Sequence, residues 1–108
     1  MITKRKVINM ANPGAYKIVA KMLVKPENLE HFQILAAQLV KASAAEEGNL
    51  HYSLNVNKKN PCFMAFTECW KDKEAIRIHN ATEHFQRILP QLLDLCEGEP
   101  VTEMYIEL

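Results

Sequence analysis

Between residues 68 and 86 the chain reads ECWKDKEAIRIHNATEHFQ, and four of its side chains can do chemistry: Glu68, Trp70, His79 and His84. Glu68 and Trp70 are two apart in an alternating segment, so on a strand they point the same way. His79 follows Ala75 by four, on the apolar stripe that a helix would turn toward that strand. An imidazole that titrates near neutrality beside a carboxylate makes a general base, and an indole offers a flat apolar wall to an aromatic ligand. The same residue types also serve as a buried hydrogen-bonded pair fixing a helix to a sheet, with tryptophan as core filler and His84 exposed in a first helical turn. Tyr52 fits either a cavity or a bond to a backbone carbonyl.

Other chemistries find less support. His79 and His84 are five apart across an expected helix break, not the four that place two imidazoles on one helical face, and H-E-x-x-H is absent, so no metal site is expected. Three glycines, Gly14, Gly48 and Gly98, leave no glycine loop to cradle a nucleotide cofactor. Cys62, Cys69 and Cys96 are odd in number and form no C-x-x-C pair, which fits free thiols in a reducing cytoplasm. None is placed as a nucleophile, since Cys69 falls on the strand face away from His79. Thirteen basic and thirteen acidic residues cancel, which removes the footprint of a nucleic-acid binder. No apolar run approaches the roughly 20 residues that cross a membrane.

A chain of 108 residues, 48% apolar and 24% charged, is one soluble globular domain's worth. Its opening, with Lys4, Arg5 and Lys6, lacks the apolar run of a secretory signal; residues 1–15 are expected to be a flexible leader, with Met1 or Met10 as the start, and 16–108 the domain. YKIVAKMLV (16–24) reads as a strand, and Pro26 can open the helix that follows. Leu29, Phe32, Leu35, Ala36, Leu39, Val40 and Ser43 recur at three- and four-residue intervals, predicting a helix from Glu27 to about Glu46, closed by Gly48 in a left-handed conformation. NLHYSLNVN (49–57) alternates, with Leu50, Tyr52, Leu54 and Val56 on one face and His51, Ser53 and Asn55 on the other. KKNP is a turn, and CFMAFTECW (62–70) completes a hairpin with Phe66, Glu68 and Trp70 on one face. Asp72 and Thr82 are helix caps for KEAIRIHN and EHFQRILPQLLDLCEG. Pro90 should kink or split the second, Gly98 should end it, and VTEMYIEL is the last strand. The order predicts an α+β, ferredoxin-like split βαβ fold with helices on one face of a four-stranded antiparallel sheet. Apolar residues at both strand parities predict that the other face is covered by a second copy, in a homodimer.

AEEGNLHYSL together with FMAFTECWKDKEAIRIHNATEHFQ resembles the antibiotic biosynthesis monooxygenase family, whose pattern is an E-G-x-x-x-Y strand, an E-x-W strand end and a helix carrying H-x-x-x-x-H-F. Gly48, Tyr52, Glu68, Trp70, His79, His84 and Phe85 stand at the matching positions, and the likeness runs over about 16–108. It looks closest to small stand-alone bacterial members described as quinol monooxygenases. The resemblance implies a dimeric α+β barrel and, in each subunit, a pocket that oxidises an electron-rich aromatic or quinol-like small molecule with O₂ and no cofactor. On that likeness His79 is the candidate base and Glu68 orients it or shares its proton. Trp70, Phe66 and Phe85 would wall the ring, and Tyr52 and His84 would hold substrate oxygens. The haem-degrading branch looks less similar, since its asparagine, tryptophan and haem-ligating histidine fall at Val19, His79 and Leu89. The branch that processes phosphorylated autoinducer-2 shares an EEGN-type segment and a helix histidine, and needs a basic pocket; Lys17, Lys21, Arg77 and Arg87 are the cations available. A ligand-binding dimer without turnover is the third reading.

Overall fold

The computed structural model describes residues 12–108. The leader expected over 1–15, with Lys4, Arg5, Lys6 and Met10, lies up to residue 11 outside the described residues. Residues 12–15 make a turn tied to the far end of the chain: the Gly14 N–H donates to the Glu107 carbonyl at 2.9 Å and the Asn12 N–H to the Glu107 carboxylate at 3.0 Å.

The alternating segments pair as β1 (Tyr16–Val24), β2 (Asn49–Val56), β3 (Phe63–Trp70) and β4 (Cys96–Ile106), all antiparallel in the order β2-β3-β1-β4. A short 3-10 turn (Pro26–Asn28) leads into α1 (Leu29–Ala44), and α2 (Lys73–Asn80) and α3 (Glu83–Asp94) connect β3 to β4. This is the ferredoxin-like α+β fold. No helix among the described residues is long and apolar enough to cross a membrane.

Both expected caps form. Asp72 Oδ1 accepts from the Ala75 N–H at 2.8 Å, and Thr82 Oγ1 accepts from the Phe85 N–H at 3.2 Å while its hydroxyl donates to the His79 carbonyl at 2.7 Å. The stripe of α1 packs on the sheet through Phe32, Leu35, Ala36 and Leu39, against Ile18, Ala20, Met22 and Val24 of β1 and Met64, Phe66 and Trp70 of β3. Burying one such large apolar side chain stabilises the fold by about 1.5–3 kcal/mol. Ile88 and Leu92 of α3 are fully buried in the same core. They flank Pro90, and α3 runs through it as one helix rather than splitting there.

Three other local expectations are corrected. Gly48 is not left-handed; only Gly14 and Gly98 among the described glycines have positive φ. A Cβ on Gly48 would instead collide with the Ala75 side chain, so glycine is there to let the loop after α1 lie against α2. A bulge between Asn49 and His51 takes Leu50 out of the alternation, and it lines the open face of the sheet beside His51 and Thr67. β4 starts at Cys96, before Gly98 and Pro100 rather than after them. Its pairing jumps from Lys21↔Val101 to Leu23↔Glu97, so Gly98 (φ 69°) and Pro100 occupy an irregularity in an edge strand, where a missing N–H is tolerated.

The open face is mixed, with a polar network across β2 and β3. Ser53 Oγ lies 2.8 Å from Thr67 Oγ1, 3.0 Å from His51 Nε2 and 3.3 Å from Asn55 Nδ2. Lys17 pairs with Glu107 and Lys21 with Glu103 on the same side. Apolar residues share that face, Val19 and Leu23 of β1, Leu50 of β2 and Phe63 of β3, and on β4 Val101, Met104, Tyr105 and Ile106 are about half exposed on both sides of the strand.

Candidate active site

Between the helices and the inner face of the sheet lies a cavity of about 250 Å³. Its wall is mainly apolar: Ile18, Ala20 and Met22 of β1, Phe66 of β3, Leu39 of α1, Phe85, Leu89 and Leu93 of α3, and Met104 of β4. Polar side chains enter it at few points, chiefly Tyr52, Glu68, His79 and Asn80. Five of the seven expected site residues, Tyr52, Phe66, Glu68, His79 and Phe85, therefore meet at one cavity. Trp70 and His84 do not line it. The Trp70 indole stands behind His79, with ring centroids 4.5 Å apart and planes at 36°, and His84 lies on the far side of the imidazole at 6.1 Å.

The amphipathicity of α2 turns His79 inward, where it is almost completely buried among rings: Phe85 is edge-on at 4.8 Å and Tyr52 lies at 5.5 Å. Its carboxylate partner is not Glu68. His79 Nδ1 is 2.7 Å from Oε2 of Glu46, and His84 Nε2 is 2.8 Å from that same oxygen. A carboxylate can only accept, so each imidazole donates to it, and the Nδ1–H of His79 leaves Nε2 as a bare lone pair. That Nε2 is buried and has no hydrogen-bond partner among the described residues. Burial holds His79 below the ordinary histidine pKa, against the opposing hydrogen bond and charge of Glu46, so the imidazole is neutral at neutral pH.

Glu68 serves a different pair. Its Oε1 accepts from Trp70 Nε1 at 2.9 Å, fixing the indole that stacks on His79. Burial raises the Glu68 pKa, partly offset by hydrogen bonds from Trp70 and Tyr52. Tyr52 is pushed strongly upward, by burial first and by the nearby Glu68 charge second, so its phenol stays protonated. Its hydroxyl neighbours Ser43, whose own Oγ is buried without a well-formed hydrogen bond.

Glu46 is the site residue that the sequence reading missed. Its side chain is only 12% exposed, and nothing local to it signals a partner 33 residues away. The one trace lay in the EEGN segment, which carried part of the resemblance without being given a role. Glu46, His79 and His84 also offer three ligand atoms within 4.8 Å of one another. Two imidazoles and a carboxylate can ligate a divalent transition metal once both N–H protons leave, so folding assembles a donor set that the spacing of the two histidines argued against.

A family model for antibiotic biosynthesis monooxygenases matches residues 15–91, the span from β1 into α3 that holds Glu46, Tyr52, Glu68, His79 and His84. The chain belongs to the antibiotic biosynthesis monooxygenase family. A Bacillus subtilis protein named "Putative monooxygenase YcnE" is 46% identical over 69 residues, covering 62% of this chain and 70% of its own. Among solved structures, a conserved protein from Methanosarcina mazei Go1 superposes with a TM-score of 0.87 at 30% identity, over 91% of this chain and 97% of that one. A crystal structure of an antibiotic biosynthesis monooxygenase superposes with a TM-score of 0.80 at 32% identity, over 83% and 95%. Membership of the antibiotic biosynthesis monooxygenase family, with the likeness to YcnE, supports a monooxygenase-like function for the domain.

Proposed function

We propose that the protein is a monooxygenase that oxidises a small, uncharged, electron-rich phenol or quinol with O₂ and no bound cofactor, and that it works as a homodimer. The observation that carries the reading is the bare, unpartnered Nε2 of a neutral His79 beside an apolar cavity. Triplet O₂ does not react in one step with a closed-shell molecule, but a phenolate can pass it one electron. His79 Nε2 takes the phenol proton, the phenolate reduces O₂ to superoxide, and the two radicals join through a new C–O bond. With an anthrone-like substrate, the CH₂ carbon then loses its second hydrogen as the O–O bond breaks. One oxygen stays as a carbonyl, the other leaves as water, and His79 returns its proton to that water. The protein's share is to take the proton, hold the ring and exclude bulk water. A ring reaches Nε2 by wedging against Phe85, which now lies edge-on to the imidazole.

Among the described residues the cavity wall offers no lysine or arginine to a phosphorylated substrate. Lys17 and Lys21 pair with Glu107 and Glu103 on the opposite face, and Arg77 and Arg87 with Glu74 and Glu83 on exposed helix surface. This favours the oxygenase over the isomerase.

The test is oxygen uptake with a panel of hydroquinones and anthrone-like phenols, against autoxidation and against His79→Gln. Saturable uptake that falls at least about 100-fold in the variant, with its thermal unfolding near that of the parent, is expected. Uptake no faster than autoxidation, or fully retained by His79→Gln, rules the reading out for these substrates.

A further inference from the structure

Resting on the reading of His79 as the base, we propose that Glu46 is the positioning residue of that base and His84 the clamp that holds Glu46 in place. One oxygen, Glu46 Oε2, receives both imidazoles, at 2.7 Å from His79 Nδ1 and 2.8 Å from His84 Nε2. Which nitrogen of a histidine carries the proton is set by what the other one meets. An imidazole without an acceptor at Nδ1 prefers its proton on Nε2, and here that tautomer would put an N–H, useless as a base, on the unpartnered nitrogen. Glu46 reverses the preference.

Glu46 also stands between two spaces. His79 borders the inner cavity, whereas Glu46 lines a separate cleft on the outer surface with Glu47, Lys71, Asp72 and Glu74. Lys71 offers a competing cation on that side, so a Glu46 held by one imidazole alone could turn outward. The second bond, from a His84 that is 19% exposed, keeps Oε2 turned inward. When His79 takes a proton, the imidazolium forms in a buried setting that also holds Tyr52 from β2, Glu68 behind Trp70 on β3, and His84 from α3. Of the two carboxylates, Glu46 alone is hydrogen-bonded to the ring and offsets its charge directly.

Imidazole nitrogen NMR of the ¹⁵N-labelled protein tests this without reference to activity. His79 should be protonated on Nδ1 and bare on Nε2. In Glu46→Ala the proton should move to Nε2, and in His84→Gln the two tautomers should mix. Oxygen uptake by Glu46→Ala should show kcat down about 100-fold or more with KM within about threefold. An unchanged His79 tautomer in folded Glu46→Ala overturns the proposal whatever the activity. A changed tautomer in a protein that never consumed oxygen upholds the positioning role and removes the oxygenase reading instead. If Glu46→Ala does not fold, the parent and His84→Gln decide: a parent His79 protonated on Nε2, or a His84→Gln spectrum identical to the parent's, overturns the proposal.

Discussion

Glu68, half-buried, and His79, buried, pull stability in opposite directions with pH. Glu68 has its pKa raised above the ordinary 4.5, mainly by burial, so the folded state holds its proton more tightly than the unfolded chain does. Its contribution is fully present below about pH 4.5 and is lost as pH rises through the folded value. His79 is lowered below 6.5, again by burial first, so its contribution is present above that value and lost as pH falls. Glu68→Gln separates the two, because the amide oxygen can still accept from Trp70 Nε1 while the charge is gone. Chemical denaturation should show the variant gaining on the parent at about pH 8 relative to about pH 4. An equal difference at both pH values, or the reverse sign, would mean that Glu68 ionises in the fold as readily as in the open chain.

The loop between α1 and β2 decides whether Glu46 can reach His79, and Gly48 decides where that loop lies. Alanine at 48 would drive its Cβ into the Ala75 side chain, pushing the loop off α2 and carrying Glu46 with it. Gly48→Ala should cost about 1–3 kcal/mol in urea unfolding and disturb the His79 tautomer, and adding Ala75→Gly should return much of both. A Gly48→Ala protein as stable as the parent would show that the loop has room to spare. This glycine also marks the limit of reading structure from sequence here. The strands, α1 and the Asp72 and Thr82 caps were legible because two- and 3.6-residue periods and cap chemistry are local signals. Gly48 was visible as a break, but a glycine needed for close approach looks the same in sequence as one needed for a left-handed turn. The Leu50 bulge and the early start of β4 depend on pairing with β3 and β1, which no single segment encodes. Part of the cavity wall was legible: Phe66, Glu68 and His79 because residues two apart on β3 and four apart on α2 share faces, Tyr52 and Phe85 through the family resemblance. The carboxylate that holds His79 was not, because Glu46 and His79 meet only through the packing of α1 against α3 and of the Gly48 loop against α2.

Sheet order leaves β2 and β4 as edges, and the two sides of β4 differ from the rest of the open surface. Across the centre of the open face, Ser53, Thr67, Asn55 and His51 bond to one another, and exposed pairs such as Lys21–Glu103 contribute about 0–1 kcal/mol each. Val19, Leu23, Leu50 and Phe63 share that face with them. On β4, Val101 and Tyr105 lie on that face while Met104 and Ile106 lie on the helix side, all about half exposed along an 11-residue edge strand. A long edge with apolar residues on both sides is what monomeric proteins avoid and what a partner strand or sheet covers. The homodimer proposed for this chain should therefore draw a large part of its contact from β4. Met104 makes the contact matter for chemistry, since it lines the cavity and is itself 53% exposed, so a second copy seated on β4 closes that side of the site to water. Sedimentation at micromolar concentration should give a dimer. Tyr105→Glu, which lies on the opposite side of β4 from the cavity wall, should weaken it at least about tenfold, equivalent to 1.4 kcal/mol, while leaving circular dichroism unchanged. Oxygen uptake by the dissociated variant should fall and return as concentration drives it back to the dimer. A parent that sediments as a monomer, or a Tyr105→Glu dimer as tight as the parent, would place the cover of β4 elsewhere.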